Sequence, residues 1–206
     1  VGRSCLAKNK EVRLKGKSII GKRMLILGEA GSGKTKLAAR LIKELMMFSN
    51  PKEITVIDMA PQRIGNIGGK ISDYLDPVNK VRYLSPKKVY TPRLTGTSHE
   101  QMLKYAELNR ELIQPLLSDF VRRTTKILII NDVTLYLHAG ELKTVLECVK
   151  LAETFLATAY YGSKLAEDRG AGISIRERQL IGKLATYMDQ VIKINQEQNW
   201  TPKHFQ

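Results

Sequence analysis

With 206 residues, 43% of them hydrophobic and 26% charged, the chain has the composition of a globular protein and not of a disordered one, and its length suits one α/β domain with its own core. The longest apolar runs, such as Ile127–Ile130, fall far short of a membrane span, and Lys8, Lys10, Arg13, Lys15 and Lys17 interrupt any apolar segment a signal peptide would need. The formal net charge is +14; residues 1–23 carry Arg3, Lys8, Lys10, Arg13, Lys15, Lys17, Lys22 and Arg23 against Glu11 alone, so 8 − 1 = +7 of it lies at the start.

In chain order, residues 1–22 read as a basic N-terminal arm in which Val12 to Ile20 alternates loosely, as an edge strand would. Arg23 to Leu27 is a short apolar strand, and Lys36 to Leu45 is apolar at helical spacing until Ser49-Asn50-Pro51 ends the helix. Ile54 to Asp58 is a second buried strand with a carboxylate at its end, followed by a glycine-rich loop to Gly69 and a short strand at Val81 to Leu84. Ser98 and Gln101 form a capping box for a long helix to about Phe120, with a kink or break expected at Pro115.

Ile127 to Ile130 is the most strand-like segment, ending in Asn131-Asp132. A helix over Gly140–Ala152, a strand over Phe155–Tyr160, a basic loop from Arg169 to Gly172, a helix capped at Ser174 with Glu177 three residues on, and a last strand at Val191–Ile194 complete the pattern. Alternating strands and helices call for an α/β, three-layer αβα fold with a mostly parallel central sheet, spanning residues 23–195 and leaving 196–206 as a tail. Cys5 and Cys148 lie far apart without metal-ligand spacing, which is the pattern of reduced thiols in a cytoplasmic protein.

The most specific feature is Gly28-Glu29-Ala30-Gly31-Ser32-Gly33-Lys34-Thr35, a complete Gly-x-x-x-x-Gly-Lys-Thr phosphate loop between a predicted strand and a predicted helix. Glycines allow consecutive backbone N–H groups to wrap a polyphosphate, and the following helix points its unpaired N–H groups at the same anion. Residues 28–36, Lys36 included, are therefore the expected nucleotide-binding stretch: Lys34 bridges the β- and γ-phosphates, and the Thr35 hydroxyl takes one position on Mg²⁺.

The rest of such a site requires a carboxylate at the end of a neighbouring strand, and Asn131-Asp132 occupies that place. Asn131 accepts a hydrogen bond from a metal-bound water but carries no charge. Asp132 then serves either the metal or the attacking water, and both readings predict slow hydrolysis. The expected metal set is Thr35, Asn131 and Asp132, and the expected catalytic set is Lys34, Asp132 and Thr158, the last sensing the γ-phosphate or else bonded to backbone as a buried threonine. Arg122, Arg123, Arg176 and Arg178 are either fingers across a subunit boundary or solvent-facing charges, and His99 and His138 show no partner pattern. No Asn-Lys-x-Asp for guanine is present, which favours ATP.

The phosphate loop at 28–35, the strand ending Val56-Ile57-Asp58 with its loop, the strand at 127–130 and Thr158 together resemble RecA-like P-loop ATPases with an additional strand between the two nucleotide motifs, and within them the FtsK/HerA superfamily of DNA-pumping ATPases. Two positions depart from that superfamily: Asn131-Asp132 replaces Asp-Glu, and Ala159 stands where it has a sensor glutamine. The resemblance implies homo-oligomeric rings, DNA in a central channel, and ATP hydrolysis with Mg²⁺ between subunits. Basic clusters fit nucleic acid bound by the N-terminal arm and the 169–178 loop, with Lys80, Arg82, Lys87, Lys88 and Arg93 as a second patch. Two alternatives stand beside a motor acting on nucleic acid: a slowly hydrolysing nucleotide-dependent switch, and a small-molecule kinase with residues 169–178 as a lid.

Overall fold

Six apolar segments become the strands β1 (Arg23–Gly28), β2 (Ile54–Asp58), β3 (Arg82–Leu84), β4 (Ile127–Asn131), β5 (Thr154–Tyr160) and β6 (Gln190–Ile194). The computed structural model describes residues 14–65 and 67–194, and joins these strands in one sheet of order β3-β2-β4-β5-β1-β6 with every adjacent pair parallel. β5 therefore lies between β1, which leads into the phosphate loop, and β4, which ends in Asn131. The tail at 196–206 and most of the N-terminal arm lie outside the described residues.

The β-strand period of two assigns each residue to a layer. Leu25 and Leu27 of β1, Leu128 and Ile130 of β4, and Phe155 and Ala157 of β5 face one side, where Ile113, Leu117 and Phe120 of α3 (His99–Arg122), Val145 and Cys148 of α5 (Leu142–Leu151) and Ile181 and Leu184 of α6 (Ile173–Ala185) cover them. Met24 and Ile26, Ile127 and Ile129, and Leu156 face the other side, beneath α1 (Lys34–Leu45) and the 3₁₀ segments around Ile19 and Ile71. Central strands buried on both faces explain the unbroken apolar runs in the sequence. Short α2 (Pro92–Thr95) and α4 (Thr134–Leu137) flank the C-terminal edge of the sheet.

Several expectations are corrected. The described end of the arm is no edge strand: Gly16–Ile19 is a 3₁₀ turn. Its Gly16 N–H donates to Glu44 Oε2 of α1, and a Cβ at Gly16 would lie 2.6 Å from Glu44 Cβ, so this stretch packs against α1 and not on the sheet. α3 runs through Pro115 as one helix, because Asn109, Ile113, Leu117 and Phe120 bury a continuous stripe on both sides of it. The Ser98 hydroxyl does cap the Gln101 N–H, but the Gln101 side chain accepts from Thr97 and not from Ser98. Ser174 is no cap. The chain enters α6 through Gly172, whose φ of 73° suits glycine, and Asp168 accepts from the Ser174 N–H.

Phe155 is fully buried in the central strand β5. Phe155→Ala is expected to lower unfolding stability by about 3–5 kcal/mol, read as a shift of the urea midpoint at unchanged slope.

Candidate nucleotide-binding site

Parallel strands end along one edge, and β1, β4 and β5 bring Gly28, Asn131 and Thr158 to it. The chain turns there into α1 through Gly33, whose φ of 87° lies in the left-handed region that glycine occupies without strain. At Gly28 the constraint is space: a Cβ would lie 2.7 Å from Ser32 Oγ and 2.8 Å from the Ile194 carbonyl oxygen. The loop borders a cleft of about 590 Å³, lined also by Asp132, Thr134, His138, Thr158, Tyr160 and Arg93.

Lys34 lies across this loop, its Nζ donating to the carbonyl oxygens of Gly28 at 2.9 Å and Glu29 at 2.7 Å. Burial pulls its pKa below the usual lysine value, opposed by the charges of Asp132, Glu29 and Glu177. Such a desolvated ammonium meets a phosphate with less water to displace. The Ser32 hydroxyl is buried and, among the described residues, has no hydrogen-bond partner. An unsatisfied hydroxyl inside a glycine cradle, next to an ammonium and a helix N-terminus, fits an oxyanion. Glu29 is turned away from the cradle. Burial raises its pKa, but the N–H groups of Ser163, Ala30 and Lys164 and the Tyr160 hydroxyl together hold it below the usual carboxylate value. Its carboxylate bonds Ser163 N at 2.9 Å, tying the phosphate loop to the chain after β5.

The predicted metal set comes together around Asn131. Its Oδ1 accepts from Thr35 Oγ1 at 3.3 Å and from Thr158 Oγ1 at 2.9 Å, and its Nδ2 donates to Asp58 Oδ1 at 2.9 Å. Oxygen donors from a hydroxyl, an amide and the neighbouring Asp132 carboxylate suit a hard cation such as Mg²⁺, which ordinarily keeps several waters and shares the substrate's phosphates. Asp132 stands just past the strand with φ 59° and accepts from the Thr134 hydroxyl, while its N–H donates to Thr158 Oγ1 at 2.8 Å. Burial pushes the Asp132 carboxyl above its usual value, an effect that Thr134, Lys34 and His138 oppose and Glu177 reinforces. Thr158 is thus a buried threonine bonded to both halves of Asn131-Asp132, and it also lines the cleft. Ala159 packs into the core and not toward the site.

Sequence reasoning missed three groups. Asp58 is fully buried. Glu177, expected as a capping residue, is 4% exposed and pairs with Arg93 at 2.6 Å and with His138 Nε2 at 2.7 Å. The Arg93 guanidinium also lies 4.8 Å from the Tyr160 ring centre. His138 lines the cleft, and its Nδ1 has no partner among the described residues. An acidic residue at an interior turn of α6 was the available signal for this cluster, and local spacing read it as a cap. The arginines considered as fingers have partners within the chain. Arg176 donates to the carbonyls of Leu137 and Gly140, Arg178 to that of Gly162, and Arg122 and Arg123 pair with Asp119. Arg82 of the second basic patch likewise pairs with Asp119.

A phosphate loop leading from one strand of a parallel sheet, separated by a single strand from the strand that ends in Asn131, gives the chain the fold of the RecA-like P-loop NTPases. Within that class, the family described as "Helicase HerA, central domain" matches residues 1–61, less than a third of the chain. No curated protein matches the sequence. Solved structures similar to the chain include an ATPase of the type III secretion system of pathogenic bacteria, 14% identical, covering 86% of this chain and 52% of its own, with a TM-score of 0.45. The flagellar accessory protein FlaH from Methanocaldococcus jannaschii is 12% identical, with 84% and 70% covered and a TM-score of 0.45. The Pif1 helicase from Candida albicans is 15% identical, with 86% and 37% covered and a TM-score of 0.38. The chain spans about half the length of the first of these, and likeness of this degree says nothing of activity or partners.

Lys34→Ala is expected to weaken ATP binding by at least about tenfold, since it removes a charge-assisted contact worth roughly 1.5–3 kcal/mol, with the melting temperature kept; titration calorimetry and thermal melts check both. Asp132→Asn follows a linkage argument. A carboxyl raised above its unfolded value contributes stability below the ordinary aspartate range and loses it as pH rises through the raised value. At pH 7 the asparagine variant should therefore melt no lower than the wild type, with the difference shrinking as pH falls through the carboxylate range.

Proposed function

We propose that this chain binds Mg²⁺-ATP and hydrolyses it as a homo-oligomer acting on nucleic acid, in the manner of a translocase or packaging-type motor. The observation that carries the nucleotide part is the bonding of Asn131 to Thr35 and to Thr158 of the intervening strand, at a cleft that Lys34 and Asp132 also line. In this reading the amides of residues 28–36 hold the phosphates, Lys34 spans the β- and γ-phosphates, and Thr35 with Asn131 faces the Mg²⁺ shell. Asp132 accepts the proton of the attacking water. Burial raises its pKa, the direction that makes a carboxylate a better proton acceptor. When bound, Mg²⁺ supplies neutralisation of charge on the transferred phosphoryl group.

The nucleic-acid part is supported by the +14 charge, half of it in residues 1–23, and by the match of residues 1–61 to a helicase domain family. Of residues 169–178, those from Ile173 on belong to α6 and Arg169 lies before it; Arg176 and Arg178 are held on carbonyls, which weighs against both a finger role and a kinase lid for them. Among the described residues no helix is long and apolar enough to cross a membrane.

One observation favours a nucleotide-dependent switch as the second reading. The strand-end position is the neutral Asn131, which lowers the charge available to the metal. Turnover far below about 1 per second with tight ATP binding, unaffected by any nucleic acid, is its signature. For the motor, duplex or single-stranded DNA added at low salt should raise ATP turnover several-fold, the gain disappearing between roughly 50 and 200 mM salt as counterion release weakens. Turnover indifferent to DNA and RNA at every salt concentration sinks the motor reading and leaves the switch.

A further inference from the structure

Every partner of the Asp58 carboxylate is a donor. Oδ1 accepts from Ala60 N at 3.2 Å and Asn131 Nδ2 at 2.9 Å, and Oδ2 accepts from Ile71 N and the Tyr83 hydroxyl, each at 2.6 Å. Two of these donors, the Ala60 and Ile71 amides, cannot reverse, and one sits on each oxygen, an arrangement that suits an acceptor-only carboxylate. The Tyr83 hydroxyl lies against it, its pKa pushed up by burial first and by Asp58 second. A carboxylate ringed by donors is therefore buried at the end of β2, directly beside Asn131 in the sheet register.

This carboxylate decides how Asn131 is presented. Because Asp58 can only accept, it fixes the amide with Nδ2 toward β2 and Oδ1 toward Thr35 and Thr158. A hydrogen bond donated to a carboxylate also polarises the amide, leaving more negative charge on Oδ1. The carboxylate that Asn131 lacks is present one strand over, pointing at the same amide.

We infer that Asp58 is the positioning residue for the metal side of the nucleotide site, acting through Asn131 to turn and polarise the amide oxygen toward the cation shared with Thr35. The inference rests on the nucleotide reading above and deepens it: Asp58 and Asn131 jointly serve the metal, and Asp132 is released for the attacking water. A purely architectural Asp58, holding only the Ala60 and Ile71 amides, leaves the metal dependence of binding untouched.

Titration calorimetry of ATP at graded Mg²⁺ separates the two, since it reads binding and not turnover. Asp58→Asn keeps the shape and removes the charge; the Mg²⁺ concentration giving half of the affinity gain should rise roughly tenfold, as about 1.4 kcal/mol of lost attraction requires, with ATP binding without Mg²⁺ little changed. Asn131→Asp alone sets two carboxylates face to face and should lower the melting temperature. The exchange Asp58→Asn with Asn131→Asp restores one charge and one hydrogen bond, and should recover both the melting temperature and a Mg²⁺ midpoint at or below that of the wild type. In the unmodified protein, Mn²⁺ added with ADP should broaden the Asn131 side-chain amide resonances, a readout independent of how the variants fold. A folded Asp58→Asn variant with an unshifted midpoint, an exchange variant no better than Asp58→Asn, or sharp Asn131 resonances overturns the inference. ATP bound equally with and without Mg²⁺ overturns it while leaving the nucleotide reading intact; no ATP binding at all overturns both.

Discussion

The parallel direction of all six strands is the constraint from which the site follows. Their C-terminal ends share one edge, so residues far apart in sequence arrive together there: the loop after Gly28, Asp58, Asn131 with Asp132, and Thr158. The same sheet order sets the spacing. With β5 between β1 and β4, the Asn131 side chain reaches Thr35 across the position of Thr158, which bonds it on the way. Apolar residues on both faces hold this edge rigid, because the strands are locked between α1 on one side and α3, α5 and α6 on the other.

Charges at the edge are buried only where partners meet them. Lys34 is held by two carbonyls, Asp58 by four donors, and Glu177 by a two-pronged pair with Arg93 plus His138. The Arg93–Glu177 pair joins α2 to α6, with both side chains almost wholly out of water. Breaking one partner of such a pair leaves an uncompensated charge, which costs far more than the pair itself contributes. The Arg93–Glu177 pair is thus sensitive to loss of either partner, whereas a phosphate entering the loop brings its charge to the Lys34 ammonium. The glycine cradle admits it because Gly28 and Gly33 leave room where a side chain would collide or strain the backbone.

Element type and order were legible from the sequence, since β-branched apolar runs and helical spacing report burial directly. The failures have local causes. Val12 to Ile20 alternates loosely like a strand, yet its stretch Gly16–Ile19 is a turn shaped by contact with α1. Pro115 marks a local penalty that packing of α3 along the sheet outweighs. Glu177 has the spacing of a cap, and the real cap interaction comes from Asp168, six residues before Ser174. The candidate site divides in the same way: residues 28–36 are contiguous and carry their own signature, whereas the Arg93–Glu177–His138 cluster draws on three helical regions no motif connects.

By itself, the sequence determined the phosphate loop, the parallel α/β architecture and the presence of a strand ending in Asn131-Asp132, because each is written in neighbouring residues whose burial and backbone needs are local. Only the tertiary structure decided what those side chains do. Asn131 looked like a lost charge until the register of β2 against β4 placed Asp58 at its amide, and His138 and Glu177 looked unrelated until α4 and α6 met. Hydrogen bonds and ion pairs act over a few ångströms of space, and separation along the chain says nothing about which groups will come that close.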